Sequence, residues 1–494
     1  MVTLLPAMLY DLDLSVDHIE QATPVVTGFL AGYIVVMPLV GLAADVHGRA
    51  VAFLAALGLF AAGSVLTASA GYSGEPPYGV IGLPWLVAGR VLQGVGGGAL
   101  VPIGLAVTAD LFPTGRRDSA IGAIAAVQEA GAVLGPLYGA GLAGLAAAAG
   151  AWRAVFWANL PLAAICAAGF ASAAWRKRVD GGGDREAASA ADWSGAALLG
   201  GALALLVIAL YPDRPGQSAV GTAFVPAGLA ALVLLAGWGW RQARALAPIV
   251  PRALLRSREF LGSSAANLLV GGGLMVALVD VPVMARGVFN LDQLGAALLL
   301  ARFMAAVPVG ALAGGLLAGR VVGRPLTAGA GLLLAAAGFT LMAGWGAQEL
   351  ARRFGPVREA DAVLALTGLG FGLVIAPLAA AVIDLADARR HALAASLVVL
   401  VRTFGMLLGL TALSAYGLHR FYQLFNTGPA IRLVPGAPDF LAQKHAYEQR
   451  VTEALTAEYH GIFLAAAAVC AAAGVIAVLS LSAWRTGGST NRSR

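Results

Sequence analysis

Apolar runs of about twenty residues recur along this chain, the length a helix needs to cross a ~30 Å hydrocarbon layer at ~1.5 Å per residue. They fall near 22–44, 51–70, 80–111, 119–145, 152–175, 193–211, 220–240, 259–285, 292–318, 325–346, 360–386, 391–418 and 458–484. Thirteen such runs leave little choice of fold. Inside lipid the backbone finds no water to bond, so each run must satisfy its own amides as a helix. The sequence therefore predicts an all-α polytopic membrane protein. Composition points the same way: 59% of the 494 residues are apolar and only 12% are charged, about half the charge of a soluble domain.

The net charge of +6 does not indicate nucleic acid, because the basic residues form no single patch. They mark orientation instead. Of the 32 Lys and Arg, nineteen fall in alternate loops on one side, ten on the other and three inside runs. The positive-inside rule makes the Arg-rich side, with the loop Asp45–Arg49, cytoplasmic. The run at 22–44 then passes inward, which requires an earlier crossing. Met1–Tyr10 is too short to cross, and it lacks the basic start and cleavage site of a signal peptide. We expect a first helix that is incomplete here, most of it upstream of Met1, and fourteen helices in all.

The spans sort into two sets of six around a central pair: an N-terminal bundle over 1–175, linkers with two extra helices over 176–258, and a C-terminal bundle over 259–494. Charged linkers separate them. Leu42-Ala43-Ala44-Asp45-Val46-His47-Gly48-Arg49 and Leu317-Ala318-Gly319-Arg320-Val321-Val322-Gly323-Arg324 agree at five of eight positions. Internal duplication with binding at the interface is the organisation of secondary transporters. In the first copy Gly48 permits a tight turn, and Asp45 can cap a helix or pair with an arginine such as Arg49, a latch that breaks when the bundles rock. Arg320 replaces Asp45 in the second copy, so the two latches differ chemically.

Ionisable residues inside spans are costly and commonly functional. Glu129 lies ten residues into its run, ~15 Å deep and near the bilayer midplane. It reads as a proton site or as one side of a buried ion pair. Arg402 lies at matching depth in the opposite bundle, so the two could pair across the interface in one state and separate in another. Arg90 and Arg302 are the other basic residues inside spans, and each needs a pathway, a carboxylate or carbonyls; Arg302 could also snorkel outward. Asp280 reads as a proton site or as the partner of Arg302. Gly131, Gly135 and Gly139 repeat every four residues above Glu129 and give a smooth face for a neighbour, with Pro136 as a hinge.

Residues 418–458 form a long segment on the outer side. Phe421, Tyr422 and Phe425 continue one helix, and after the turn at Pro435-Gly436-Ala437-Pro438, Phe440 and Tyr447 open another. Two helices would project ~20–30 Å beyond the membrane. They either pack only on one another or offer a docking surface.

Several chemistries find no support. Gly94-Val95-Gly96-Gly97-Gly98 lies in an apolar helix with no Gly-Lys-Ser or Gly-Lys-Thr following. The six histidines lack metal-ligand spacing, Cys166 and Cys470 lie in apolar runs, and no nucleophile elbow is present. Neither an enzyme nor a bound cofactor is indicated, and a proton gradient is the expected energy source.

Four motifs carry a resemblance to the major facilitator superfamily. They are Gly41 to Arg49, Leu86-Val87-Ala88-Gly89-Arg90-Val91-Leu92-Gln93-Gly94, the Gly131 to Gly139 ladder, and Trp152-Arg153-Ala154-Val155-Phe156-Trp157-Ala158-Asn159-Leu160-Pro161. The last resembles the fourteen-helix drug:proton antiporter branch. Gly32-Tyr33-Ile34-Val35-Val36-Met37-Pro38-Leu39, Leu278-Val279-Asp280-Val281 and Leu413 to Phe421 are similar to mycobacterial multidrug and triacylglycerol exporters. That resemblance implies an inner-membrane exporter of lipids or lipophilic compounds, with an extracytoplasmic lipoprotein partner and roles for Glu129 and Arg402 in coupling. It also implies an acid on the first helix, which falls upstream of Met1. A general multidrug antiporter, and a membrane scaffold or receptor, stand as the alternatives.

Overall fold

The computed structural model describes residue 8 and residues 23–70, 78–145, 152–177, 191–210, 220–245, 248–426 and 440–487. Thirteen long helices occupy the predicted runs. They are α1 (Thr23–His47), α2 (Arg49–Ala68), α3 (Tyr78–Leu111), α4 (Thr114–Leu145), α5 (Trp152–Lys177), α6 (Trp193–Leu210), α7 (Phe224–Arg244), α8 (Arg258–Gly287), α9 (Gln293–Arg320), α10 (Arg324–Ala343), α11 (Glu359–Asp384), α12 (His391–Asn426) and α13 (Phe440–Gly487). Among the described residues, twelve helices are long and apolar enough to cross a membrane. The helix outside that dozen is α4, which carries Glu129. A small hairpin, β1 (Arg353–Phe354) and β2 (Val357–Arg358), joins α10 to α11. The expected first helix and the turn at 435–438 lie outside the described residues.

Local chemistry sets the helix ends. Ser257 caps α8 by accepting from the Phe260 amide at 3.3 Å, and Asp292 caps α9 by accepting from Gly295 at 2.8 Å. The turn between α1 and α2 is a single residue, Gly48, at φ 93°, and Gly323 at φ 87° directly precedes α10. A side chain at that φ would be strained. Asp45 is therefore not in a loop, as the sequence suggested, but in the last turn of α1.

Helices α1, α2 and α3 pack together with α5 against α2; α8 packs on α12 and α13, and α11 on α9 and α10. The two sets meet where α4 lies along α9 and α1 along α12. The central pair, α6 and α7, pack on each other, with α6 against α1. Apolar packing crosses the boundary at the Arg-rich end: buried residues of α1 and α3, such as Met37 and Ile103, share one cluster with Ala380 and Ile383 of α11 and Leu393 of α12.

Glycines bring backbones together where lipid supplies no hydrophobic drive between helices. A Cβ on Gly271 would run into the Arg402 carbonyl, and one on Gly405 into the Leu268 carbonyl, so α8 and α12 cross at near contact. This crossing fixes Arg402. Gly405→Ala is expected to cost about 1–3 kcal/mol through overpacking, whereas Gly58→Ala, at a site open to ordinary side chains, should be neutral or slightly stabilising; thermal unfolding in detergent compares the two.

Candidate functional site

Arg402 of α12 and Glu129 of α4 face one another across the two bundles. Arg402 Nη2 lies 3.8 Å from Glu129 Oε1, with the side chains 11% and 20% exposed. A hydrogen-bonded pair of this type would close to about 2.7–2.9 Å. The two groups thus attract without a direct hydrogen bond, and the carboxylate keeps partial access to its surroundings.

Two further networks tie the bundles at the Arg-rich end. In the first, the Asp45 carboxylate accepts from the backbone amides of Ala392 at 3.2 Å and Leu393 at 3.0 Å, capping the start of α12. Arg49 Nη2 holds Asp45 at 3.1 Å, and its Nε lies 2.9 Å from Asp110 of α3. His391 Nδ1 of α12 meets the same Asp110 at 2.7 Å. In the second, Arg324 Nε and Nη2 bind both oxygens of Asp118 at 2.7 and 3.1 Å, and Nη2 also reaches Asp384 at 2.5 Å. Arg117 pairs with Asp384 from the N-terminal side. Ser119 Oγ donates to the Gly315 carbonyl at 3.3 Å, where Gly122 and Gly315 let α4 and α9 touch.

The networks follow the sequence repeat with one exchange. Arg49 and Arg324 both open a helix after a positive-φ glycine. In the first copy the neighbouring acid comes from the same motif; in the second, Arg320 is exposed and Asp118 of the opposite bundle supplies the charge.

The other predicted residues separate into three groups. Arg90 is buried on α3: Nη1 donates to Gln93 at 2.8 Å, Nε to the Val25 carbonyl at 3.4 Å, and the guanidinium lies 4.3 Å over the Phe29 ring. Gln93 in turn donates to Ser64 at 2.7 Å, so a polar chain links α1, α2 and α3. Arg302 does not pair with Asp280. It lies 3.2 Å from Asp361 and donates to the Leu298 carbonyl, because one turn of α9 sets it beside the start of α11. Asp280 instead lies in the electrostatic field of Glu458 on α13. Gly131 and Gly135 meet no neighbour among the described residues: a Cβ at either would enter open space, and Val127 and Leu134 beside them are 72% and 58% exposed. The smooth face is therefore unpaired there. Pro136 and Gly139 lie in α4, beyond the described side chains.

The outer projection is continuous helix on both arms. At ~1.5 Å per residue, the 36 residues of α12 and 48 of α13 extend ~54 and ~72 Å, well past a ~30 Å hydrocarbon layer. Phe421 packs edge-on to Tyr422 and stacks on Phe425 at 5.6 Å, and Phe425 meets Tyr447 edge-on at 5.7 Å. Phe440 is the first residue of α13. An aromatic seam thus joins the arms. Beside α13 an open cavity of about 930 Å³ is lined by Trp345, His445, Glu448, Thr452, Glu453 and His460.

Asp110, Asp118, Asp384, Arg117 and His391 escaped the sequence reading. Their signal was position: each stands within a few residues of a helix end on the Arg-rich side, where acids and bases from several loops must converge.

Residues 1–410 match the family model described as Major Facilitator Superfamily. A triacylglyceride transporter of Mycolicibacterium smegmatis is 40% identical over 489 residues, covering 97% of this chain and 83% of that protein. The triacylglyceride transporter of Mycobacterium tuberculosis is 37% identical over 489 residues, covering 97% and 90%. Among solved structures, a proton:xylose symporter gives a TM-score of 0.56 at 14% identity over 94% of this chain and 89% of that one. The human organic anion transporter MFSD10 gives 0.55 at 16% over 90% and 83%. At those identities the structures speak for the fold alone.

Arg324→Gln leaves Asp118 and Asp384 buried without their shared cation, and is expected to cost about 3–5 kcal/mol. Thermal unfolding reads the loss. Spin labels placed on α4 and α9 at the Arg-rich end should also report a wider separation.

Proposed function

The chain belongs to the major facilitator superfamily, and from that premise we propose a proton-coupled exporter that carries lipids or other lipophilic molecules outward across the inner membrane by alternating access. One observation carries the reading: an acid and an arginine on opposite bundles meet midway along their helices, at a depth the helical rise puts near the bilayer midplane, while the bundles are latched together at the Arg-rich end that the positive-inside rule makes cytoplasmic. A proton arriving from outside adds to a Glu129 carboxylate oxygen and removes its charge. Arg402 then loses its partner, and the attraction holding the two bundles at that depth is gone. Rocking breaks the latches and opens the cytoplasmic side, where a lower proton concentration releases the proton as lipid enters. The Glu129–Arg402 attraction returns and draws the bundles back, so that the lipid leaves outward.

The lipid substrate is supported by the two mycobacterial relatives, which are named triacylglyceride transporters. The projection favours it over a general multidrug antiporter. A triacylglyceride cannot diffuse from the transporter through water, and the apolar seam from Phe421 to Tyr447 offers it a path or a docking place for an extracytoplasmic lipoprotein. A non-transporting scaffold would have no use for a breakable midplane pair.

In vesicles under an imposed pH gradient, Glu129→Gln is expected to lose uphill lipid export by about 5- to 150-fold, the span of an ordinary coupling energy. Export at the full wild-type rate would defeat proton coupling through this site. Replacing Phe425 and Tyr447 together by Ala should reduce lipid transfer to an acceptor in solution while leaving dye movement unchanged; equal lipid transfer would count against the projection's role.

A further inference from the structure

A third polar group shares the midplane. Tyr33 lies ten residues into α1, ~15 Å along the helix, a depth close to that of Glu129 and Arg402. The backbone there is fixed on one side by α3, because a Cβ on Gly94 would press on the Tyr33 amide and one on Gly98 on its carbonyl. On another side α1 runs along α12, with Gly41 against Leu393 and Ser396. The Tyr33 ring stacks with Phe29 at 6.0 Å, and Phe29 carries the Arg90 guanidinium on its ring. Asp45 against Ala392 and Leu393 and Gly41 against Ser396 set the two helices antiparallel, a register that brings Tyr33 level with Arg402; there the charges of Arg402 and Glu129 both act on the phenol. Among the described residues its hydroxyl has no hydrogen-bond partner.

A phenol level with a loose ion pair, and with no other hydrogen bond among the described residues, has one evident use. We propose that Tyr33 is a positioning residue for the proton step, its oxygen accepting a hydrogen bond from the Arg402 guanidinium once Glu129 has taken up a proton. The inference rests on the proton-coupled reading above. Only the Glu129 carboxylate gains a proton; Tyr33 keeps its own, and no covalent bond of the phenol forms or breaks. The difficulty it answers is physical. A guanidinium cannot lose its proton in a protein, so when Glu129 is neutralised a buried cation remains, and leaving it unbonded in a poorly hydrated place is costly. A neutral oxygen beside it lowers that cost without competing for the proton. The charged and titratable groups facing this point are Glu129 from α4, Arg402 from α12 and, through Phe29, Arg90 from α3.

Tyr33→Phe keeps the ring and removes only the acceptor. Reconstituted protein should then need more acid to load, so that the outside pH giving half-maximal export falls by about one to two units, the value of one hydrogen bond to a charged group. The maximal rate at saturating acid should be retained. Tyr33→Gln, whose amide oxygen also accepts from a guanidinium, should return the midpoint toward wild type. An unchanged midpoint in Tyr33→Phe overturns the proposal. So does a rate lowered equally at every pH, which is the mark of a packing defect. Wild-type export that ignores the pH gradient would sink proton coupling itself, and with it this role, whereas a pH-dependent wild type with an indifferent Tyr33→Phe variant sinks only the role of Tyr33.

Discussion

A charge inside a bilayer must find an opposite charge, a hydrogen bond or water, and everything distinctive in this protein follows from where each is available. Among the described residues, Arg90 uses a carbonyl, a glutamine and an aromatic face. Arg302 reaches Asp361 near the outer end of α9. Of these three arginines, only Arg402 finds its acid on the other bundle among the described residues. The same requirement that makes each arginine expensive to bury makes this one able to report on the relative placement of two rigid bodies.

That report is sharp only if the helices bearing the charges are held closely. Apolar side chains do not drive helices together in lipid, because the tails outside are as apolar as the core. Contact of backbones does. The crossing at Gly271 and Gly405 locates Arg402 relative to α8, and Gly94 with Gly98 locates α1 relative to α3. Between the bundles the glycines are fewer and sit toward the Arg-rich end, as Gly122 with Gly315 and Gly41 against Ser396. Each bundle is thus stiff within itself, while the joint between them is close at one end.

The helices were legible because lipid imposes one backbone solution, and a twenty-residue apolar run has few other readings. Glu129 and Arg402 were legible for the converse reason, as charges in such runs. Positions set by partners from other helices were not. Asp280 and Arg302 lie at similar outer depth, and depth alone suggested a pair; rotation about each helix axis sends one toward α13 and the other toward α11. Gly131 and Gly135 signalled close packing by their spacing, yet a four-residue period fixes a face without saying what lies against it. Asp118 and Asp384 sit among ordinary-looking loop charges, and only folding reveals that Arg324 joins them.

The strengths of the cross-bundle pairs run opposite to the difficulty of replacing them. Arg324 grips Asp118 through two hydrogen bonds and touches Asp384 as well, and Asp45 takes two amides of α12. Both lie at helix ends near the membrane surface. With the Arg324, Asp118 and Asp384 side chains 11%, 6% and 11% exposed, deleting one partner is costly, but when the helix ends part, water can take over each lost bond. The midplane pair has far less water to fall back on, and it is the loose one at 3.8 Å. Two close hydrogen bonds at that depth would trap the bundles in one arrangement. Under the proposed proton-coupled reading, a separated pair with a partly accessible carboxylate is one that a single proton could tip, the condition a carrier must meet to visit both sides of a membrane.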